Sequence, residues 1–294
     1  MHEMVNEVGT EEYLKQTCTQ VGEHLYVKRG IGENLEPYIP DKVNDEEKRN
    51  LQIIFSMGGS GTRVRHITED KYSKHLIEVR GKPISAYVVD LWVRSGFREL
   101  CILVDDTHRG KSITDHYKDG EKIGASIKYS VEHMKLASGG AIRLAIENGV
   151  ITNSFVNHYP DDIIINYPDF AEDFVKVFMA AMKAGYQCVV LCVPGKFYPY
   201  GVVIDDGNNV VDFVEKPFIE KDTNTGVFAL SEDAFPLLRS LEPNKEIKIE
   251  RTVLKKIAES GKMFKVILPT EYWIPVNDEP NLNKFVEIVA SKKV

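Results

Sequence analysis

The chain has 294 residues, 43% hydrophobic and 28% charged, the balance of a globular protein long enough for one large domain or two small ones. Its net charge of −7 excludes a broad nucleic-acid surface, which needs a basic face. No apolar run reaches the length of a membrane span and the acidic N-terminus lacks the basic-then-apolar pattern of a leader, so a cytoplasmic location is expected, with neither nucleic acid nor membrane as partner.

Residues 1–50 hold 11 acids against 6 bases, most of the net charge. Tyr13, Leu14, Cys18, Val21 and Leu25 recur at roughly helical spacing and predict one amphipathic helix. Pro37 and Pro40 break the chain before the charged segment 41–49. This acidic N-terminal extension shows no chemistry of its own. It reads as a packing segment, an oligomer contact or a partly disordered arm, and the main domain is expected over 51–294.

From Leu51 onward strands and helices alternate. An apolar strand ends in a loop with Gly58, Gly59 and Gly61, closed by Arg63. Ile84, Tyr87, Val88, Leu91 and Trp92 mark one face of a helix, with Pro83 in its first turn and Gly96 past its end. Strands follow at 99–104, 126–131, 154–159 and 187–193, with helices at 140–148 and 170–184. A hairpin over 200–215 turns at 206–209, and then come a strand at 225–230, helices at 232–241 and 249–260, a strand at 264–268 and a last helix at 281–290. The rhythm predicts an α/β domain with a mostly parallel sheet covered by helices. Ligands in such folds sit beyond the carboxyl ends of the strands, where the glycine loop, Asp105-Asp106 and Asp161-Asp162 fall. Asp105-Asp106 reads as a solvated turn. Cys18, Cys101, Cys188 and Cys192 show no CxxC spacing, so free thiols in a reducing compartment are expected.

The glycine loop has a physical reading before it has a name. Glycines let backbone N–H groups approach a ligand with no side chain in the way, and several such groups form a nest for phosphate oxygens. Arg63 adds a planar, permanently charged fork. A triphosphate loop of the Walker type needs Lys-Ser/Thr after its last glycine, and Thr62-Arg63 follows instead. A dinucleotide fingerprint needs a third glycine where Val64 stands, which counts against an oxidoreductase.

The run Gly58-Gly59-Ser60-Gly61-Thr62-Arg63 resembles the GGxGTR signature of the sugar-1-phosphate nucleotidyltransferases. Thr68, Ser73-Lys74-His75-Leu76 and Gly81-Lys82-Pro83 continue in that family's register. Tyr200-Gly201-Val202-Val203 to Phe213-Val214-Glu215-Lys216-Pro217 resembles its YGxV…FxEKP segment, and Asn224-Thr225-Gly226 its N-x-G. Leu136-Ala137-Ser138-Gly139-Gly140-Ala141 is similar to its LGTxGA segment. Departures are His66 in place of a frequent proline, one extra residue between Thr68 and Lys74, Asp161 in place of a glycine before Asp162, and Pro275 where many members carry an aspartate.

The resemblance covers about residues 51–290 and implies a Rossmann-like three-layer α/β sandwich of GT-A-like type, with a mixed, mostly parallel sheet. It implies transfer of a nucleotidyl group from an NTP to a sugar-1-phosphate, with release of pyrophosphate. Arg63 and Lys74 would carry catalysis. Gly58, Gly59, Ser60, Gly61, Thr62, Ser138 and Gly139 would hold the nucleotide, and His133 stands where the family often reads the base with glutamine. The wording is closest to members that use GTP or UTP. Gly201, Glu215, Lys216 and Asn224 would hold the sugar phosphate. Mg2+ would be the cofactor, held by Asp162, with Asp161 as the alternative, and by Asn277, with Asp278 as the alternative. A homo-oligomer is compatible with the chain, and no appended acyltransferase domain is expected after the last helix. The rival readings are a non-catalytic member that binds a nucleotide sugar and, further off, a dinucleotide-dependent oxidoreductase.

Overall fold

A computed structural model of the chain describes residues 10–30, 32–59 and 61–291. Its centre is a nine-stranded sheet built from β1 (Cys18–Gln20), β2 (Tyr26–Lys28), β3 (Gln52–Ser56), β4 (Glu99–Asp105), β5 (Ser126–Glu132), β6 (Phe155–Asn157), β7 (Cys188–Val193), β8 (Thr223–Leu230) and β9 (Met263–Ile267). The spatial order is β1-β2-β9-β7-β8-β6-β3-β4-β5. Only β8 and β2 run against the others, so the sheet is mixed and mostly parallel.

Strand chemistry follows position in the sheet. In β3 and β4 nearly every residue is buried, because helices cover both faces. At the edge, β5 alternates buried and open positions, the period of a strand with one covered face. Alternation along β3 also divides the core in two. Ile53 and Phe55 join a cluster with α3 (Ile84–Arg94) and α6 (Phe170–Lys183) through Val88, Trp92, Phe174 and Phe178. Ile54 joins the opposite cluster with α5 (Ala137–Glu147) and α8 (Val253–Glu259) through Ile142, Ala145 and Ile257. Three layers result: helices, sheet, helices. The same lower-face cluster receives α7 (Phe235–Arg239), while α9 (Glu279–Ser291) packs Leu282 and Phe285 on the upper face.

The N-terminal arm differs from the single helix its spacing predicts. Helix α1 spans Thr10–Thr17, and Cys18 and Val21 then belong to a hairpin and its turn. Strand β2 lies antiparallel to β9, with Tyr26 opposite Ile267. Gly22 sits so close to Asp173 and the Tyr167 hydroxyl that a Cβ there would lie 3.0 Å from each, and Glu23 N–H donates to Asp173 at 2.9 Å. Tertiary contacts thus override a helical pattern that a β-branched, Gly-interrupted stretch supports weakly. Leu25, Val27, Leu35 and Val43 from this arm are buried in the main core.

The structure adds elements that the sequence pattern does not announce. Helix α2 (Asp45–Asn50) starts on a capping box in which Asn44 accepts from Glu47 N–H at 3.0 Å and Glu47 accepts from Asn44 N–H at 2.8 Å. Helix α4 (His108–Tyr117) is capped by Thr107. A two-stranded ladder pairs Asp162–Ile164 with Trp273–Pro275 outside the main sheet. The predicted helices 232–241 and 249–260 each begin with a 3-10 turn before their α segment. All four cysteines are free, and Cys101, Cys188 and Cys192 are buried. Among the described residues no helix is long and apolar enough to cross a membrane.

Candidate active site

Strand order reverses at β3, whose parallel neighbours are β4 on one side and β6 on the other. The carboxyl ends of these strands open onto a cleft of about 600 Å³. Gly58 and Gly59 after β3, Glu132 at the end of β5, Ser138 at the start of α5, and Asp161-Asp162 after β6 all line it. Arg63, Lys74, Lys248 and Asn277 complete the polar wall.

The glycine loop leaves β3 over the neighbouring strand. Met57 and Gly58 N–H both donate to Leu103 C=O, at 2.8 and 3.1 Å. A Cβ on Gly58 would stand 3.4 Å from both the Asp105 nitrogen and a Glu132 carboxylate oxygen, so the loop packs closely against β4 and β5. Gly59 has φ +123°, open to glycine alone among common residues. The loop already attracts an anion: Gly59 N–H donates to Asp105 Oδ2 at 3.2 Å. Burial opposes the Asp105 charge, yet hydrogen bonds from Thr107 and Gly59 outweigh it and hold the carboxyl below its ordinary value. Ser60 lies outside the described residues. Gly61 adopts φ +54° beside the Lys74 stem, and Thr62 and Arg63 form an exposed 3-10 turn.

Lys74 starts another 3-10 turn, capped by Ser73, and forms an ion pair with Asp161. The next residue, His75, is buried, and its Nδ1 has no hydrogen-bond partner among the described residues. Burial, reinforced by the Lys74 charge, pushes His75 down to about 3, so the ring is neutral.

The two adjacent aspartates sit in different surroundings. Burial would raise Asp161, but the Lys74 charge overrides it and the carboxyl stays below its ordinary value. Burial and the neighbouring Asp161 charge push Asp162 well above the carboxylate range. Trp273 Nε1–H donates to Asp162 Oδ1 at 3.0 Å, while no described residue donates to Oδ2. Gly226 explains part of this crowding: it has φ +85°, and a Cβ there would lie 2.6 Å from Asp162 Oδ2. Among the described residues no three His, Cys, Asp or Glu side chains gather into a possible metal cage. Asn277 follows the strand that pairs with Asp162, placing an amide on the same cleft.

At the nucleotide end, Ser138 and Gly139 are tied to the 247–250 segment. Gly139 N–H donates to Ile247 C=O at 2.8 Å, Ser138 Oγ accepts from Ile249 N–H at 3.0 Å, and Ser138 and Tyr159 hydroxyls both donate to Glu250. His133, expected at the base, instead faces Asp106 across 3.0 Å and is 81% exposed outside the cleft lining. Its neighbour Glu132 points inward. Leu136 N–H donates to Glu132 Oε2 at 3.1 Å, and burial raises this carboxyl above its ordinary value. The alternation of β5 is the signal that could have separated the two.

The sugar-side residues are placed differently. The hairpin Val202–Asp205/Val210–Val214 forms as expected, with Val202 opposite Val214. Gly201 lies against Glu215, whose side chain and that of Lys216 are 76% and 64% exposed. Of the expected nucleotide-side residues Gly58, Gly59 and Ser138 line the cleft, while Gly61, Thr62, His133 and Gly139, like Gly201, Glu215, Lys216 and Asn224 on the sugar side, stand outside its lining. Asn224 Oδ1 accepts from Gly226 N–H at 3.0 Å.

Residues 52–286 match the family described as nucleotidyl transferase. The chain is 24% identical over 257 residues to a UTP–glucose-1-phosphate uridylyltransferase of Synechocystis, covering 83% of this chain and 64% of that protein. It is 29% identical over 188 residues to a D-glycero-alpha-D-manno-heptose 1-phosphate guanylyltransferase of Campylobacter jejuni, covering 63% and 78% of the two. The chain thus spans less than two thirds of the cyanobacterial relative. In fold it is similar to a crystal structure described as a glucose-1-phosphate thymidylyltransferase from Bacillus anthracis, with a TM-score of 0.65, 18% identity and coverage of 83% and 97%.

Proposed function

The chain belongs to the nucleotidyl transferase family, and on that premise we propose that it joins an NTP to a sugar-1-phosphate, yielding an NDP-sugar and pyrophosphate. One observation carries this reading: Gly58-Gly59 and Lys74 line one cleft at the carboxyl ends of the strands together with Asp161-Asp162, remote from them in sequence. A bond forms between a sugar-phosphate oxygen and the α-phosphorus, and the bond from that phosphorus to the pyrophosphate oxygen breaks. The nucleophile is already an anion near neutral pH, so positioning and charge stabilisation suffice and no general base is needed.

The reading gives the triphosphate to the Gly58–Gly61 backbone and Arg63. Lys74 has three donors, so a phosphate oxygen can share its ammonium with Asp161. The donor set fits Mg2+, which takes one or two protein oxygens and completes its shell with phosphates and water. Among the described residues none donates to Asp162 Oδ2, which leaves that oxygen free to take a cation. Asp162 and Asn277 would hold the ion, which when bound offsets charge at the α-phosphate and the departing pyrophosphate. Glu215, Lys216, Gly201 and Asn224 take the sugar phosphate in this reading, which requires the hairpin to fold towards the cleft.

Glu132 favours GTP over UTP. A carboxylate is an acceptor only, and the pairing edge of guanine offers two neighbouring donors, its ring N–H and its amino group. The pairing edge of uracil offers one donor between two carbonyls, which a carboxylate repels. The test is pyrophosphate release across four NTPs and a panel of sugar-1-phosphates at ample Mg2+. No turnover with any pair would reject the reading in favour of a non-catalytic nucleotide-sugar binder.

A further inference from the structure

The N-terminal arm lies outside the stretch that matches the family, yet it grips the segment leading into the cleft. Thr10 hydrogen-bonds Glu271, accepts from Thr270 N–H at 2.8 Å, and sits beside Glu11, whose N–H donates to Glu271 at 3.0 Å. Glu11 is the centre of the contact. Its carboxylate accepts from the Tyr272 hydroxyl at 2.8 Å and lies 2.7 Å from His24 Nδ1. The His24 ring in turn stacks on Tyr272, with centroids 4.2 Å apart.

Tyr272 faces two ways. Its side chain belongs to the arm, while its carbonyl accepts from Ile165 N–H at 2.9 Å and starts the ladder that sets Ile274 opposite Ile163 and Pro275 opposite Asp162. The next residue, Trp273, donates its indole N–H to Asp162. The backbone of Tyr272 and Trp273 therefore links the Glu11 hydrogen bond to the one that Trp273 makes with a cleft carboxylate.

We propose that Glu11 is a positioning residue: through Tyr272 it fixes the register and closeness of the Trp273–Pro275 strand against Asp162, and so the geometry at the transfer site. The proposal rests on the nucleotidyl-transfer reading. Loss of the grip lets the strand shift, and small misplacements at a reacting centre cost rate rather than binding of remote parts of the substrate.

The experiment uses the full chain and three variants, with turnover measured beside amide hydrogen exchange. Glu11→Ala should lower kcat about tenfold with KM for the sugar phosphate within about twofold, and should quicken exchange at Ile165 about tenfold. Exchange at Ile102 in β4 should not change, which separates a local shift from general loosening. Glu11→Gln, which keeps an oxygen for the Tyr272 hydroxyl, should recover most of kcat. Tyr272→Phe, which removes one hydroxyl only, should act as Glu11→Ala does and serves if that variant does not fold. Unchanged exchange at Ile165 overturns the proposal, as does quickened exchange with kcat unchanged. Failure of the underlying reading is seen separately, as absence of turnover in the unaltered protein.

Discussion

Lys74 reaches across 87 positions of sequence to pair with Asp161, and so sets two adjacent carboxylates in different electrostatic surroundings. With its partner in place Asp161 stays an anion below its ordinary value, and that anion adds to the burial that pushes Asp162 up. Paired titratable groups driven apart in this way are characteristic of working sites.

Lys74→Ala should damage both stability and rate. The pair is mostly buried, at 23% and 16% side-chain exposure, and its loss leaves an uncompensated anion. Urea unfolding should show a loss on the order of 2 kcal/mol, between the values for exposed and fully buried pairs. Turnover should fall at least about a hundredfold. A variant with wild-type turnover would remove Lys74 from the chemistry.

Asp161→Asn and Asp162→Asn should have opposite signatures. Asp162→Asn removes a buried like-charge contact and should leave stability unchanged or higher by about 1 kcal/mol, while turnover collapses and more Mg2+ is needed for what remains. Asp161→Asn strips Lys74 of its partner and should lower the urea midpoint with the Mg2+ requirement unchanged. Unfolding curves and Mg2+ titrations of both variants check this, and an exchange of the two patterns would move the ligand role to Asp161.

Two buried histidines set an acid limit on the fold. Burial lowers His75 to about 3 and His158 to about 4, from 6.5. Between pH 4 and 6.5 the unfolded chain binds protons at these rings that the folded chain does not, so stability rises with pH through that window and is complete above 6.5. The slope near pH 5 should reach about 1.4 kcal/mol per pH unit for each ring. Urea unfolding at pH 5 and pH 7 measures it. His158→Gln should shrink the difference between the two, and an unchanged difference would place its origin elsewhere.

Glu132→Gln should change the choice of base. The amide brings a donor as well as an acceptor, so kcat/KM with GTP should fall about ten- to a hundredfold and that with UTP should rise. Competition between the two nucleotides in one reaction reads the ratio. His133→Ala, at an exposed position outside the cleft, should leave that ratio unaltered.

Much of this architecture is legible in the residues because local chemistry and tertiary role agree. Ile84, Val88 and Trp92 announce a buried helix face, and the long apolar runs of β3 and β4 announce strands covered on both sides. The glycine loop is readable because positive φ and close approach leave few alternatives to Gly58 and Gly59. The arm is legible only in part: its helix forms over Thr10–Thr17, but the hairpin after it is selected by the contact of β2 with β9. Glu132 lines the cleft and His133 does not, because a one-residue offset at a strand end reverses which side chain faces inward. The Lys74–Asp161 pair and the Trp273–Asp162 contact join segments whose separation no local pattern reports.

The hairpin between β7 and β8 is apolar but scarcely covered: Tyr200, Val211 and Phe213 are 67%, 58% and 71% exposed. A two-stranded ribbon is marginal by itself in water, so it belongs to the part of the molecule that opens most readily. A protease given the folded chain should cut first around its turn, at residues 206–209. The two fragments would stay together, because the strands on either side of the cut are direct neighbours, with Cys188 opposite Leu230 and Val193 opposite Thr223. Nicking would then yield a two-piece protein with its cleft whole and its exposed hairpin severed at the tip.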